Sequence, residues 1–154
     1  MNQFDTVENV DACCELANAI VTLACDDYRH YNKHFRKNLD LMQYISERIE
    51  EIKNGEEEHT DELNNLFIVK DDTELDQRKL QSKIAEIEEF LPSHYGMILS
   101  HGLGEVILEK IKKEQPVSEP SAERGRTLFK KKEKQMQKRL EKLLERRKNE
   151  QLRP

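Results

Sequence analysis

Asp26, Asp27, His30 and His34 are spaced three and four residues apart, so on a helix they share one face. Side chains of these types at this spacing could hold zinc or another divalent ion. A chelate would need a further ligand from another element, for which His59, His94 and His101 are available. The chain contains no H-E-x-x-H and no paired C-x-x-C, so the face reads first as a solvated one. If a metal were bound here, Asp27, His30 and His34 would be its ligands.

Other reactive side chains point less clearly to chemistry. Cys13, Cys14 and Cys25 sit in the most apolar stretch with nothing basic near them in sequence, the setting of small packed hydrophobes rather than activated thiolates. Acid pairs at E-x-x-E spacing, Glu47/Glu50 and Glu86/Glu89, resemble those with which all-α nucleotide pyrophosphatases hold magnesium. They lie off the apolar stripes, however, and a magnesium site requires them to converge. No Gly-rich phosphate loop and no G-x-S-x-G elbow is present. The reading is therefore non-enzymatic, with no catalytic residue and no cofactor, and a metal-dependent nucleotide hydrolase is kept as an alternative.

Charge is the other source of function. Residues 1–115 carry 13 Lys/Arg against 25 Asp/Glu, and residues 116–154 carry 13 against 6. An acidic body with a basic tail follows, divided at Pro116–Ser121, where two prolines and two serines read as a linker. Body 1–115, linker 116–122 and tail 123–154 are the expected parts. The tail places Lys130, Lys131, Lys132, Lys134, Lys138, Arg139, Lys142, Arg146, Arg147 and Lys148 around an apolar line of Phe129, Met136, Leu140, Leu143 and Leu144. Such a helix can meet an acidic protein surface or nucleic-acid phosphates, although a single aromatic gives it little for base stacking. Docking on protein, including this chain's own acidic body, is favoured slightly over nucleic acid, and the tail is expected to be dispensable for folding.

These groups must be positioned by helices. Of 154 residues, 37% are charged and 6% aromatic, which disfavours sandwiches and barrels. No apolar run approaches the ~20 residues of a membrane span. The opening lacks a basic n-region, and the odd cysteine count gives no disulfide framework, so a cytoplasmic setting is expected.

Fourteen positions from Val7 to Ile52 keep a 3.5-residue repeat with only Asn38 polar, predicting one long helix or two collinear ones over about 5–53. Asn38 would fix register by pairing in the seam, or would mark a break. Ala12–Cys25 is apolar on nearly every side and is expected to be covered on several sides. Asp71-Asp72-Thr73 supplies caps for a returning helix with the face Leu80, Ile84, Ile87 and Leu91, stopped by Pro92. A short helix capped by Ser93 and running to about Leu99, a turn over 100–104 and a last body helix with the face Leu103, Val106, Ile107 and Ile111 ending near Glu114 complete the body. Because the Tyr28–Ile52 seam is longer than the Leu80–Leu91 face, homodimerisation is also anticipated.

Two segments carry a resemblance. Leu16-Ala17-Asn18-Ala19-Ile20-Val21 followed by Asp27-Tyr28-Arg29 is one. Ile87-Glu88-Glu89-Phe90-Leu91, Ser93-His94-Tyr95 and Gly104-Glu105-Val106-Ile107-Leu108-Glu109-Lys110-Ile111 form the other. Together they resemble small helical proteins of prophages and integrative elements of Gram-positive bacteria, which usually have Trp where Tyr95 stands. The resemblance implies a helical fold, a phage or mobile-element origin and a bacterial host cytoplasm, and brings no activity with it.

The expectation is an all-α protein: a long helical hairpin or coiled coil, a small capping helical bundle and a basic C-terminal helix. It would act by docking to a host or phage protein, such as a nucleic-acid-targeting defence enzyme. A nucleic-acid-binding accessory role for the tail is the alternative.

Overall fold

A computed structural model describes residues 7–92, 103–114 and 118–152, with side chains from Glu15 onward. Four helices follow in order: α1 Val7–Asn54, α2 Thr60–Phe90, α3 Leu103–Glu114 and α4 Ala122–Gln151. No strand occurs among the described residues. The expected helix over 93–99, His94, His101, the side chains of Cys13 and Cys14 and Pro116 and Val117 of the linker lie outside them.

The 3.5-residue repeat is realised as one unbroken 48-residue helix, α1. Asn38 does not break it. Its buried amide donates to Asp76 Oδ2 at 2.8 Å and Gln77 Oε1 at 3.0 Å on α2, the register-fixing role that a polar seam residue can take.

Helix α2 begins earlier than its cap-like residues suggest. Asp71-Asp72-Thr73 lies in mid-helix, where the buried Thr73 hydroxyl donates back to the Val69 carbonyl at 2.7 Å. The residues from Leu63 to Val69 are the first turns of α2, and Leu66 and Val69 are fully buried. Thr73 and Gln77 occupy seam positions between Val69 and Leu80, so a polar interruption hides one continuous stripe. The helix ends ahead of Pro92, which lacks the N–H to continue it.

Contacts sort the chain into two compact units, each with its own core. The first contains the described residues of Met1–Phe35 and Arg78–Ser118. Ala17, Val21, Cys25 and Tyr28 of α1 pack with Leu91 and with Leu108 and Ile111 of α3. Small residues on α1 keep this contact close. At Gly104 any Cβ would stand 2.0 Å from the Leu91 carbonyl oxygen, so α3 can start here only with glycine. Arg29 forks onto Glu114 at the other end of α3, with nitrogen–oxygen distances of 2.9 and 3.4 Å.

Among the described residues, the stretch 15–25 is covered on one side rather than several. Leu16, Ala19, Ile20 and Leu23 are exposed, because the described neighbours α2 and α3 meet only the opposite face of α1.

The second unit contains Arg36–Gln77 and Glu119–Pro154. Its core joins Leu41, Ile45, Ile49 and Ile52 of α1, Leu66 and Val69 of α2, and Phe129 of α4. Arg48 grips Glu62 with both ends of its fork, at 2.6 and 3.0 Å, close to the turn between α1 and α2. The division of the chain therefore differs from a 1–115 body carrying a separable 123–154 tail. The first half of α4 is core, because Phe129 is 3% exposed and packs on Tyr44 with ring centroids 5.4 Å apart. Covered by α2 and α4, the α1 seam in this unit offers no surplus to a second chain, which removes the reason given for homodimerisation.

A buried Phe truncated to Ala costs about 3–5 kcal/mol. Phe129→Ala is expected to destabilise the protein by this order in urea unfolding. A change below about 0.5 kcal/mol, the size of a surface substitution, would return α4 to a dispensable tail.

Candidate functional site

Helix α4 is built in two halves, and its start is tied down by several groups. Ser121 caps it, its Oγ accepting from the Arg124 N–H at 3.4 Å. The Ser121 N–H donates to Asp40 Oδ1 at 2.8 Å, and the Arg124 guanidinium donates to both Asp40 oxygens at 3.0 and 3.2 Å. A carboxylate here also faces the positive end of the helix. Burial pushes the Asp40 carboxyl up, but the Arg124 and Ser121 hydrogen bonds outweigh it and hold the group below its ordinary value. One turn on, a Cβ at Gly125 would stand 2.0 Å from the Asp40 carbonyl oxygen, so the α1 and α4 backbones nearly touch.

Asp40 and Gly125 were not anticipated from the sequence. The available signal was a glycine four residues before Phe129 inside a strong helix pattern, where glycine otherwise only weakens a helix.

The predicted basic residues separate accordingly. Lys132 is partly buried, with Nζ 3.4 Å from Thr73 Oγ1 and 3.7 Å from Asp72, so it braces α4 against α2. Lys130 and Arg126 line a recess of about 580 Å³ with Tyr44, Arg48, Glu51, Glu62, Phe129 and Glu133. Its three cations face three carboxylates, and Glu62 and Glu51 already hold Arg48, so the recess carries no net charge to recruit an ion. Lys130, Lys131 and Lys134 are exposed, and with Arg126, Glu123 and Thr127 they line a shallow depression.

Beyond Met136 every residue of α4 is exposed, including Lys138, Arg139, Lys142, Arg146, Arg147 and Lys148. Leu140, Leu143 and Leu144 share a face with Met136 and are 55–58% exposed. Lys138, Lys142 and Arg146 fall on the far side of the helix, and Arg139 flanks the leucines. Between Ile68 and Asn65 of α2 and Met136, Leu140 and Leu143 of α4 runs a groove of about 480 Å³, rimmed by Glu133, Gln137 and Arg139.

The predicted metal ligands are not gathered. Asp26, Asp27, His30 and His34 are all exposed, and Asp26 pairs with Arg29 at 3.1 Å. Among the described residues no three His, Cys, Asp or Glu side chains come together to hold a metal ion. His59 stands 3.4 Å from Glu57 and 3.7 Å from Glu62. The acid pairs Glu47/Glu50 and Glu86/Glu89 are exposed. Cys25 is buried, and burial pushes its thiol up, against nucleophilic use. No helix among the described residues is long and apolar enough to cross a membrane. No family model, curated protein or solved structure matches the chain.

Because its carboxyl is held low in the folded state, Asp40 contributes stability that is complete above the unfolded carboxylate value of about 3.9 and is lost as pH falls through the folded one. Asp40→Asn is expected to lower the melting temperature at neutral pH. It should also flatten the acid limb of stability below about pH 4. An unchanged acid limb would remove Asp40 as the clasp of α4.

Proposed function

We propose that the protein is a non-enzymatic docking module whose contact surface is the second half of α4. The observation that carries this reading is the contrast within one helix. Its first half is fastened by Asp40, Gly125 and Phe129, while its second half leaves Leu140, Leu143 and Leu144 in water, flanked by basic side chains. Three leucines left more than half exposed on one face form an apolar patch, and such faces mark surfaces that meet a partner. The neighbouring cations favour an acidic partner and speed the encounter. The prophage-like segments support a host or phage protein as that partner, including a defence nuclease with a channel for nucleic acid.

A second reading rests on the exposed set Arg126, Lys130, Lys131 and Lys134, whose spacing suits phosphates rather than an apolar surface. In that case the tail would serve as a nucleic-acid-binding accessory element.

Tagged wild-type chain and Leu140→Glu/Leu143→Glu, incubated with host cytosol, separate the two. Docking through the leucine face predicts that the double variant loses the captured protein while its melting temperature stays within about 2 °C, as befits exposed positions. If Lys130→Ala/Lys131→Ala/Lys134→Ala instead loses duplex DNA binding that falls steeply between 50 and 200 mM salt, and the leucine variant behaves as wild type, the nucleic-acid reading replaces the docking one.

A further inference from the structure

Among the described residues two exposed apolar faces lie on different helices, and their chemistry matches. The first is on α1, where Leu16, Ile20 and Leu23 are 62%, 40% and 64% exposed, with exposed Ala19 beside them. The second is the groove face of α4, where Leu140 and Leu143 are 57% and 58% exposed and Met136, at the inner end, is half-buried against the core. Both follow the same step of four and then three residues. Each stripe therefore spans about 10 Å of helix and offers knobs at the same intervals.

Their charges are opposite. The first 28 residues contain six acidic side chains and no Lys or Arg. Glu15 flanks the α1 stripe, and Asp27 continues it on the same face; both are exposed. On α4, residues 138–148 contain six Lys/Arg and two Glu, with Arg139 on the rim of the groove.

Pairing either face with its own kind is unfavourable, acid against acid on α1 and base against base on α4. Pairing them with each other satisfies both the apolar and the electrostatic pattern. The recognition is of the helix-in-groove kind, with anchors at i, i+4 and i+7.

We propose that the Leu16/Ile20/Leu23 face of one copy of the chain seats in the groove formed by Ile68, Met136, Leu140 and Leu143 of a second copy. This rests on the docking reading of α4 and names a second copy of the chain, in place of a host or phage protein, as the partner of that surface. The contact is heterologous, using two different patches, so it generates a ring or an open head-to-tail chain rather than a two-patch dimer. Two turns of helix on each side bury less than the about 1,200 Å² of a stable interface. The association is accordingly a concentration-dependent one in the micromolar range, weakened by salt through its flanking charges.

The test is sedimentation velocity of the full chain between about 5 and 200 µM, bracketing a micromolar Kd. Leu23→Glu and Leu143→Glu are run alone and mixed, with circular dichroism confirming unchanged helicity at these exposed positions. Wild type is expected to grow in mass with concentration and to shrink in high salt. Each variant alone is expected to associate at least about tenfold more weakly. Mixed, the two are expected to form a 1:1 dimer, because one copy supplies an intact α1 face and the other an intact α4 face.

A wild type that is monomeric throughout, or a mixture with no dimer, overturns the proposal. So does a Leu23→Glu variant that associates as wild type, which would show α4 meeting α4. None of these touches the docking reading, which fails separately if the α4 leucine variants keep every captured protein.

Discussion

A helix of 48 residues with an apolar seam along most of its length cannot leave that seam in water, and the rest of the chain is arranged around covering it. Over its first part the cover comes from the later turns of α2 and from α3, and over its second part from the earlier turns of α2 and from α4. Each of the two cores is small and poor in aromatics, so close approach replaces bulk. Ala17 and Val21 in one and the glycine contacts at Gly104 and Gly125 bring helix backbones nearer than larger side chains would permit. The stability of such cores rests on few residues, which explains why a single aromatic, Phe129, matters to one of them.

Polar groups set alignment rather than bulk stability. Asn38 with Asp76 and Gln77 fixes which turn of α2 faces which turn of α1, and Arg48 with Glu62 repeats the constraint near the connecting turn. Asp40 does the equivalent for α4, accepting from its capping residue and from Arg124. The surface pairs, such as Arg29 with Glu114, are half exposed and contribute little, since water screens them. The distinction matters for function: the groups that orient α4 are fixed at its start, and its far half is left free of such ties.

That arrangement also changes what the basic charge is for. Lys132 is used within the fold, braced on Thr73 and Asp72, whereas Arg139, Arg147 and Lys148 border the leucine face. A strand of cations alone would suggest phosphates. Cations bordering three exposed leucines suggest an acidic surface with apolar pockets, in this proposal the acidic opening of α1 itself.

Helical class, the span of α1 and the end of α3 were legible in the sequence, because a 3.5-residue repeat and caps are local properties of the chain; whether α1 is unbroken and whether Asn38 pairs or interrupts it were left open and are decided by Asp76 and Gln77 of α2. The start of α2 was not legible, because Thr73 and Gln77 stand in its seam, and only their burial against α1 makes polar residues acceptable there. Nor was the integration of α4. Its apolar line looks too narrow to pack, yet Gly125 allows so close an approach to Asp40 and Tyr44 that Phe129, helped by Leu128 and Met136, suffices. Exposure was undetermined for the same reason. A run such as Ala12–Cys25 states how much apolar surface a helix carries, but which face meets a neighbour depends on where the other helices come to lie, and that is decided only by packing.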